Sequence, residues 1–533
     1  MKNYRSTLLV FIFILSAYVA HAQVIYERHD NEVYNYLARM AQKGIIEFRD
    51  FIKPLSKEQI LRGLDSVQVH SESLSQIEKK ELTFYRTEYM LNGRKRILSA
   101  SSKEFRIQAD PILTLSYMNG PGRSIVHESS GINFWGDIDK RWGFQLSFQD
   151  INEHGDGFDS IRNTLADGPA TGVIVLSNAN RKDYQNFTEI RAHLSYSFKN
   201  GSISVGQDYL TCGYGQNGSI ILSDKAPTYP YIRFDYYPLS WLKFNYTHAW
   251  LQSGTLDSNR SYTIPSGVFG GIREVDIPKF MASHSIEMFI KKGLSFAIGE
   301  SIIYNDQLNI GYLIPIMYFK GYDNYANRGV IHQGSNGQFF LNINSRNQIK
   351  NTQLYGTLFV DEIKLTSVFD SKNSRNQLGY TIGGVVTDYF IPYLSIGAEY
   401  TRVRPFVYEN FLPAQTYTSA GYNLGDWIGT NSDKVIAYLK YTPMPRVKLL
   451  ARYQYIRKGG NGTVYQQYYQ QPQPPFLFDM QYKMSEVYLK ASYECVHRGF
   501  INIELSHADY QNFNGATPLL SGNTVKFGIL YGL

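Results

Sequence analysis

TVKFGILYGL (Thr524–Leu533) closes the chain. Every second residue, Val525, Phe527, Ile529, Tyr531 and Leu533, is apolar, while Thr524, Lys526, Gly528, Leu530 and Gly532 are mostly small or polar. A period of two with one apolar face marks a strand. Left at the edge of an open sheet, such a strand would invite aggregation. Closure of a barrel removes the edge by pairing the last strand with the first. The expected partner is the strand that begins near Glu104. A sandwich strand has the same local pattern, so the remaining segments decide between the two.

The alternation repeats upstream. Trp142, Phe144, Leu146 and Phe148 interleave with Gln145, Ser147 and Gln149; Ile190, Ala192, Leu194, Tyr196 and Phe198 with Glu189, Arg191, His193 and Ser195; Val487, Leu489, Ala491 and Tyr493 with Glu486, Tyr488, Lys490 and Ser492. One face suits lipid and the other a polar lumen. Short links fall at Lys199–Gly201, Pro238–Ser240, Lys291–Gly293, Ile391-Pro392, Thr442–Arg446 and Val496–Gly499. Between them lie long polar segments at 153–185, 211–228, 253–281, 304–335, 403–433 and 457–483. Short turns on one side and long loops on the other are the outer-membrane pattern. The fold expected for 100–533 is an all-β transmembrane barrel of about 18 antiparallel strands, with periplasmic turns and extracellular loops.

Composition agrees. Of 533 residues, 15% are aromatic, with 43 Tyr, and only 19% are charged. Tyrosine suits membrane interfaces and sugar-binding surfaces. Mean hydropathy is −0.30, and past the first 22 residues no apolar run reaches the 18 or so that a membrane helix needs. Residues 1–22 read as a secretory signal, with Lys2 and Arg5 before the apolar core Leu8–Val19 and cleavage after Ala20-His21-Ala22. No cysteine follows that site, so no lipoprotein anchor is expected. The net charge of +7 falls to +5 once Lys2 and Arg5 leave, too small and scattered for a nucleic-acid partner. Cys212 and Cys495 are too few for a disulfide framework or a metal cluster and are read as isolated packing residues.

Residues 23–99 read as a small periplasmic helical domain. Asn31–Lys43 places Val33, Tyr34, Leu37, Met40 and Ala41 on one face and ends at Gly44. Ser56 with Gln59, and Ser75 with Glu78, are capping boxes that open two further helices, and Leu55 is placed as a staple for the first of these. Ile60, Leu61 and Leu64 are one buried stripe; Ile77, Leu82, Tyr85 and Tyr89 are the next, which Gly93 ends. Helices this short must pack on one another or on the barrel. The unit is either a simple cap or a plug or docking module at the periplasmic mouth. Arg94-Lys95-Arg96 is read as a solvated basic linker.

Several stretches resemble a known family. VYNYLARMAQKGII (33–46) followed by Pro54-Leu55-Ser56, SDKAPTYPYIRFDYYPLSWLKF (223–244), ASHSIEMFIKKGLSFAIGESIIYND (282–306), GYLIPIMYFKGYDNYANRG (311–329) and YNLGDWIGTNSDKVIAYLKYTP (422–443) are together similar to the Wzi family of outer-membrane capsule-assembly proteins. The resemblance runs in order along nearly the whole mature chain. It implies an 18-stranded barrel with a periplasmic helical bundle. It also implies a lectin-like, non-enzymatic role, holding capsular or other surface polysaccharide at the outer face.

A sugar site needs aromatic faces, with amide, carboxylate or guanidinium groups for hydroxyls or acidic sugars. Segment 457–483 carries Tyr465, Gln466, Gln467, Tyr468, Tyr469, Gln470 and Gln471, stiffened by Pro472, Pro474 and Pro475. Segment 304–335 adds Tyr312, Tyr322, Asn324, Tyr325 and Arg328; segment 403–433 adds Arg404, Tyr408, Tyr417, Tyr422 and Trp427. The polysaccharide candidates are Tyr465, Tyr468, Tyr469, Trp427, Arg404, Tyr322 and Arg328. Interface tyrosines also build the aromatic girdle of a barrel, so each has a structural reading beside the binding one. His154-Gly155-Asp156-Gly157, read as part of a long loop, has no nucleophile partner. With no G-x-S-x-G, H-E-x-x-H or phosphate-binding glycine loop, no enzyme is expected, and no cofactor or metal. The expected partners are surface polysaccharide and outer-membrane lipid, on a monomer. The alternative function is a porin or transporter for small solutes or saccharides, with a water-filled lumen.

Overall fold

The computed structural model describes residues 24–90, 93–139, 141–157, 183–265, 271–327, 334–362, 375–513 and 519–532. The expected signal peptide, Arg328 and Leu533 lie outside the described residues.

Among these, eighteen long antiparallel strands close a barrel. They are β1 Phe105–Gly120, β2 Arg123–Ile138, β3 Trp142–Asp156, β4 Tyr184–Phe198, β5 Gly201–Asp208 and β6 Tyr229–Leu239, then β7 Leu242–Leu251, β8 Lys279–Lys291, β9 Leu294–Asn305, β10 Asn336–Arg346, β11 Thr352–Glu362 and β12 Gln377–Thr387. The circuit ends with β13 Leu394–Val403, β14 Ser432–Tyr441, β15 Val447–Lys458, β16 Tyr482–Val496, β17 Gly499–Asn512 and β18 Gly522–Tyr531. Each pairs with its neighbours in the sequence. The ring closes where β18 meets β1, from Val525 opposite Asn119 to Tyr531 opposite Leu113. Below that seam the free edge of β1 is covered by Leu98–Ser101, which pairs with Arg106–Ala109. That pairing shortens the edge of β1 left open to template association.

The alternation holds. On β18, Val525, Phe527 and Ile529 face outward, and Lys526 and Gly528 face the lumen side. Trp142, Leu146 and Phe148 on β3 are likewise exposed. The short links gather at one end of the barrel and the long segments at the other. One reading is corrected: His154, Gly155 and Asp156 belong to β3 rather than a loop, because β3 and β4 extend their pairing to His154 opposite Tyr184.

Three helices, α1 Glu32–Gln42, α2 Lys57–Val69 and α3 Gln76–Tyr89, sit at the short-turn end, hereafter the helical end. Asn31 caps α1, and both expected capping boxes form. Val33, Leu37, Met40, Ile60, Leu64 and Leu82 are buried in one core. Gly44 ends α1 at φ +72°, and a Cβ there would stand 2.0 Å from Asn347 Nδ2 in the turn between β10 and β11. The unit is thus seated against the barrel at a point that a side chain would block.

Ion pairs fasten it. Asp50 binds Arg346 (2.8 Å), Glu81 binds Lys448 (2.6 Å), and Arg498 reaches both Glu27 (2.7 Å) and Glu88 (2.9 Å). The basic linker is corrected here. Arg94 and Arg96 are not solvated: Arg96 bridges Glu88 and Asp110 at 2.9 Å each, and Arg94 holds Glu88 at 3.1 Å. Buried acids on both sides of the joint draw them in, since an uncompensated buried carboxylate is costly. Cys212 and Cys495 are free.

Candidate functional site

The lumen is filled before any site is reached. The segment between β5 and β6 turns inward, and its Thr211–Cys212 pairs with Ile52–Lys53 from the helical unit. Phe51, Leu210, Tyr214, Ile220, Ile221 and Leu222 form a core there with lumen-facing Met281, Phe340 and Phe359. The segment between β13 and β14 closes over it. Tyr408 Oη donates to the Ile220 carbonyl (2.6 Å) and Tyr417 Oη to that of Ile221 (2.8 Å), and the two rings stack 5.5 Å apart. Buried Asp426 and Lys434 pair at 2.8 Å, and Lys434 also donates to the Asn217 carbonyl (3.0 Å). Between plug and helical unit lies a cavity of about 310 Å³, lined by Tyr36, Lys53, Gln216, Tyr355 and Lys440 among others.

At the loop end, the segment between β15 and β16 carries a one-turn helix, α5, Val464–Tyr468. Thr463 and Gln466 form its capping box: Gln466 N donates to Thr463 Oγ1 (3.2 Å) and Thr463 N to Gln466 Oε1 (2.9 Å). That turn sorts the tyrosines. Tyr465 and Tyr469, four apart, lie on one face. Their centroids are 6.1 Å apart, their planes differ by 26°, and they are 65% and 60% exposed. Gln467 and Tyr468 turn inward. Gln467 is buried, donating to Gln377 Oε1 (3.4 Å). Tyr468 Oη accepts from Phe411 N (3.3 Å), and its ring meets Phe411 edge-on at 6.0 Å. Burial raises the Tyr468 phenol above its usual range.

The base of this loop is pinned by buried Asn431. It donates to the carbonyls of Gly460 (2.9 Å) and Phe478 (3.0 Å) and accepts from Leu477 N (2.7 Å). The two outward rings are therefore presented on a fixed frame, beside the amides of Gln466, Gln470 and Gln471. Such a frame lowers the ordering cost of binding.

The other candidates are elsewhere. Trp427 Nε1 donates to the Asn217 carbonyl (2.9 Å), so its ring braces the plug. Arg404 is exposed at the rim just past β13, its carbonyl accepting from Asn431 N (3.3 Å). Tyr322 belongs to α4, Phe319–Ala326, where its hydroxyl donates to Asn309 Oδ1 (2.8 Å) and its ring abuts Tyr312. Of the seven, the structure pairs Tyr465 with Tyr469, with Tyr468 directly behind them. Phe411 is an additional half-exposed ring at this place that the sequence reading passed over. It lies in an aperiodic segment, and only the contact with Tyr468 reveals it.

No family model matches the sequence, and no curated protein matches it. Among solved structures, the chain is similar to Wzi of Escherichia coli, described as an outer membrane protein involved in group 1 capsule assembly and a carbohydrate-binding β-barrel. The identity is 13% over 96% of this chain and 100% of that one, with a TM-score of 0.61. OccK3 and OprD of Pseudomonas aeruginosa also match, at 10% and 12% identity and TM-scores of 0.44 and 0.43, covering 80% and 82% of this chain and 95% and 98% of theirs. The chain is a closed eighteen-stranded barrel with N-terminal helices, and it has the fold of Wzi.

Proposed function

We propose that this chain is a bacterial outer-membrane barrel that holds capsular or other surface polysaccharide through its loop end, without catalysis. In this reading residues 1–22 are the signal, 23–99 a periplasmic helical domain and 100–533 the barrel. The helical end then faces the periplasm and the loop end the outside. The observation that carries the proposal is the outward pair Tyr465 and Tyr469 on its pinned loop. Two near-parallel aromatic faces suit the C–H faces of successive sugar rings, and the flanking glutamines suit hydroxyls. The likeness to a carbohydrate-binding barrel supports it. The filled lumen favours holding a polymer over passing a solute.

The test is a glycan array with the purified barrel, followed by titration of any ligand found. Each of Tyr465→Ala and Tyr469→Ala should weaken binding about ten-fold, the scale of one lost aromatic contact of about 1.4 kcal/mol. Cells lacking the protein should shed polysaccharide that the parent retains. No glycan binding together with unchanged retention would remove the proposal.

A further inference from the structure

Two apolar clusters lie on opposite faces of the same strands. The lumen core takes Ala249 of β7, Met281 of β8 and Ile303 of β9. Tyr246, Phe280, Ala282, Ile302 and Tyr304, from those same strands, belong to a separate cluster with Tyr312 and Phe319. Side chains alternate across a strand, so this second cluster is outside the barrel. Asp306–Asn327, which follows β9, doubles back over the wall to cover it. Tyr246 Oη donates to the Tyr312 carbonyl (2.8 Å), and the Tyr304 and Tyr312 rings lie 4.6 Å apart.

Polar groups are covered there too. Glu300 of β9 accepts from Phe319 N (2.9 Å) and Lys320 N (2.6 Å) at the start of α4. His284 of β8 is 3.6 Å from Glu300, and His248 of β7 is 2.7 Å from Tyr304 Oη. These groups are at the height of the lipid. Glu300 stands six residues in from Leu294, the helical-end residue of β9. At the same count stand Val435 on β14 and Leu505 on β17, both apolar and exposed on the outer wall. A strand crosses the hydrocarbon in about 9–11 residues, so that position is inside it. Bare to lipid, the Glu300 carboxylate would lack these two backbone donors, whereas His248 keeps its wall partner Tyr304. The covering segment supplies the donors, and turns outward Leu308, Ile310, Ile314, Ile316 and Tyr318, with Ile310 and Ile316 76% and 83% exposed. This apolar face continues the exposed Ile298 of β9 and Ile343 of β10. Tyr318 reaches the outer wall itself, 6.4 Å from the Phe339 ring.

We infer that Asp306–Asn327 is a membrane flap: it seals a polar patch on the outer wall of β7–β9 and presents its own apolar side to the acyl chains of the bilayer. The inference rests on the transmembrane reading of the barrel, and one arm of the test checks that reading alone. Ile316→Cys and Ile310→Cys are each labelled with an environment-sensitive fluorophore in a Cys495→Ala background, Cys212 being buried. The labelled proteins are placed in phosphatidylcholine vesicles, with or without bromine on the acyl chains. Ile529→Cys on β18 and Gln466→Cys on α5 are the lipid and water references. The flap labels should lose fluorescence to brominated chains as the Ile529 label does, and resist aqueous iodide. Quenching by iodide, as at Gln466, would overturn the flap while Ile529 still reports lipid. Protection from both quenchers would also overturn it, and would point to a second copy seated on the face. An Ile529 label that the brominated chains do not quench would remove the transmembrane reading itself.

Discussion

At the scale of residues, the sorting of three adjacent tyrosines decides the candidate site. Their presence is plain in YQQYYQQ, but which rings face outward depends on one helical turn. The signal for that turn is in the sequence, since Thr463 with Gln466 three residues on is the same capping box read at Ser56 and Ser75. In a five-residue helix it has no apolar stripe to support it. The inward turn of Tyr468 and the bracing role of Trp427 depend on Phe411 and Asn217, which only tertiary packing brings near. Glu88 carries the residue-scale prediction. Burial alone would raise its carboxyl, but Arg498, Arg96 and Arg94 hold it down to about 2. A carboxylate lowered in the folded state contributes stability that is present above its ordinary value of 4.5 and is lost as pH falls from there through about 2. The shift corresponds to about 3 kcal/mol. Helical circular dichroism during thermal unfolding, taken at stepped pH, should show the helical unit loosening across that window. Glu88→Gln should be less stable near neutral pH and lose most of this pH dependence. If the two proteins respond alike to acid, Glu88 does not hold the unit in place.

At the scale of elements, the strands were legible because the two solvents of a barrel alternate with every residue, and that period survives in most strands, though not in β7 and β9, whose outer faces are covered. The two-residue ladder between Ile52–Lys53 and Thr211–Cys212 was not, because it joins segments remote in the chain and is too short to have a period. Arg94–Arg96 misled for a related reason: a basic run reads as solvated until its acids are in place, and Asp110 enters from β1. The closing strand gives the element-scale prediction. Phe527 and Ile529 face outward, so Phe527→Arg or Ile529→Arg should cost about 2–4 kcal/mol at the bilayer midplane and reduce insertion. Lys526 faces the lumen side, so Lys526→Arg should be tolerated. Heat-modifiable migration of the folded barrel in gels measures both. Equal tolerance at the two sets would undo the assignment of faces.

At the scale of the whole molecule, two bodies fill one lumen from opposite ends, and they are tied to each other as well as to the wall. The plug strand Thr211–Cys212 is paired with the helical unit, and the Asp426–Lys434 pair holds the plug from the loop end. Each large ring buried there contributes roughly 1.5–3 kcal/mol, so several together keep spontaneous opening rare. Breaking one side of a buried ion pair costs about 3–5 kcal/mol because it strands the other charge. Asp426→Ala should therefore loosen the segment between β13 and β14, detected as faster proteolysis there. It should not open a pore, since the helical unit still occupies the other mouth. In planar bilayers the intact protein should carry no steady current. Replacing Gly213–Lys225 by a short flexible linker should leave conductance low or flickering. So should starting the mature chain after Gly93, since the plug remains. Only the two deletions together should give steady open-channel current, and far more than the two single effects combined. A steady current through the intact protein would overturn the filled lumen and favour the passage of solutes over the holding of a polymer.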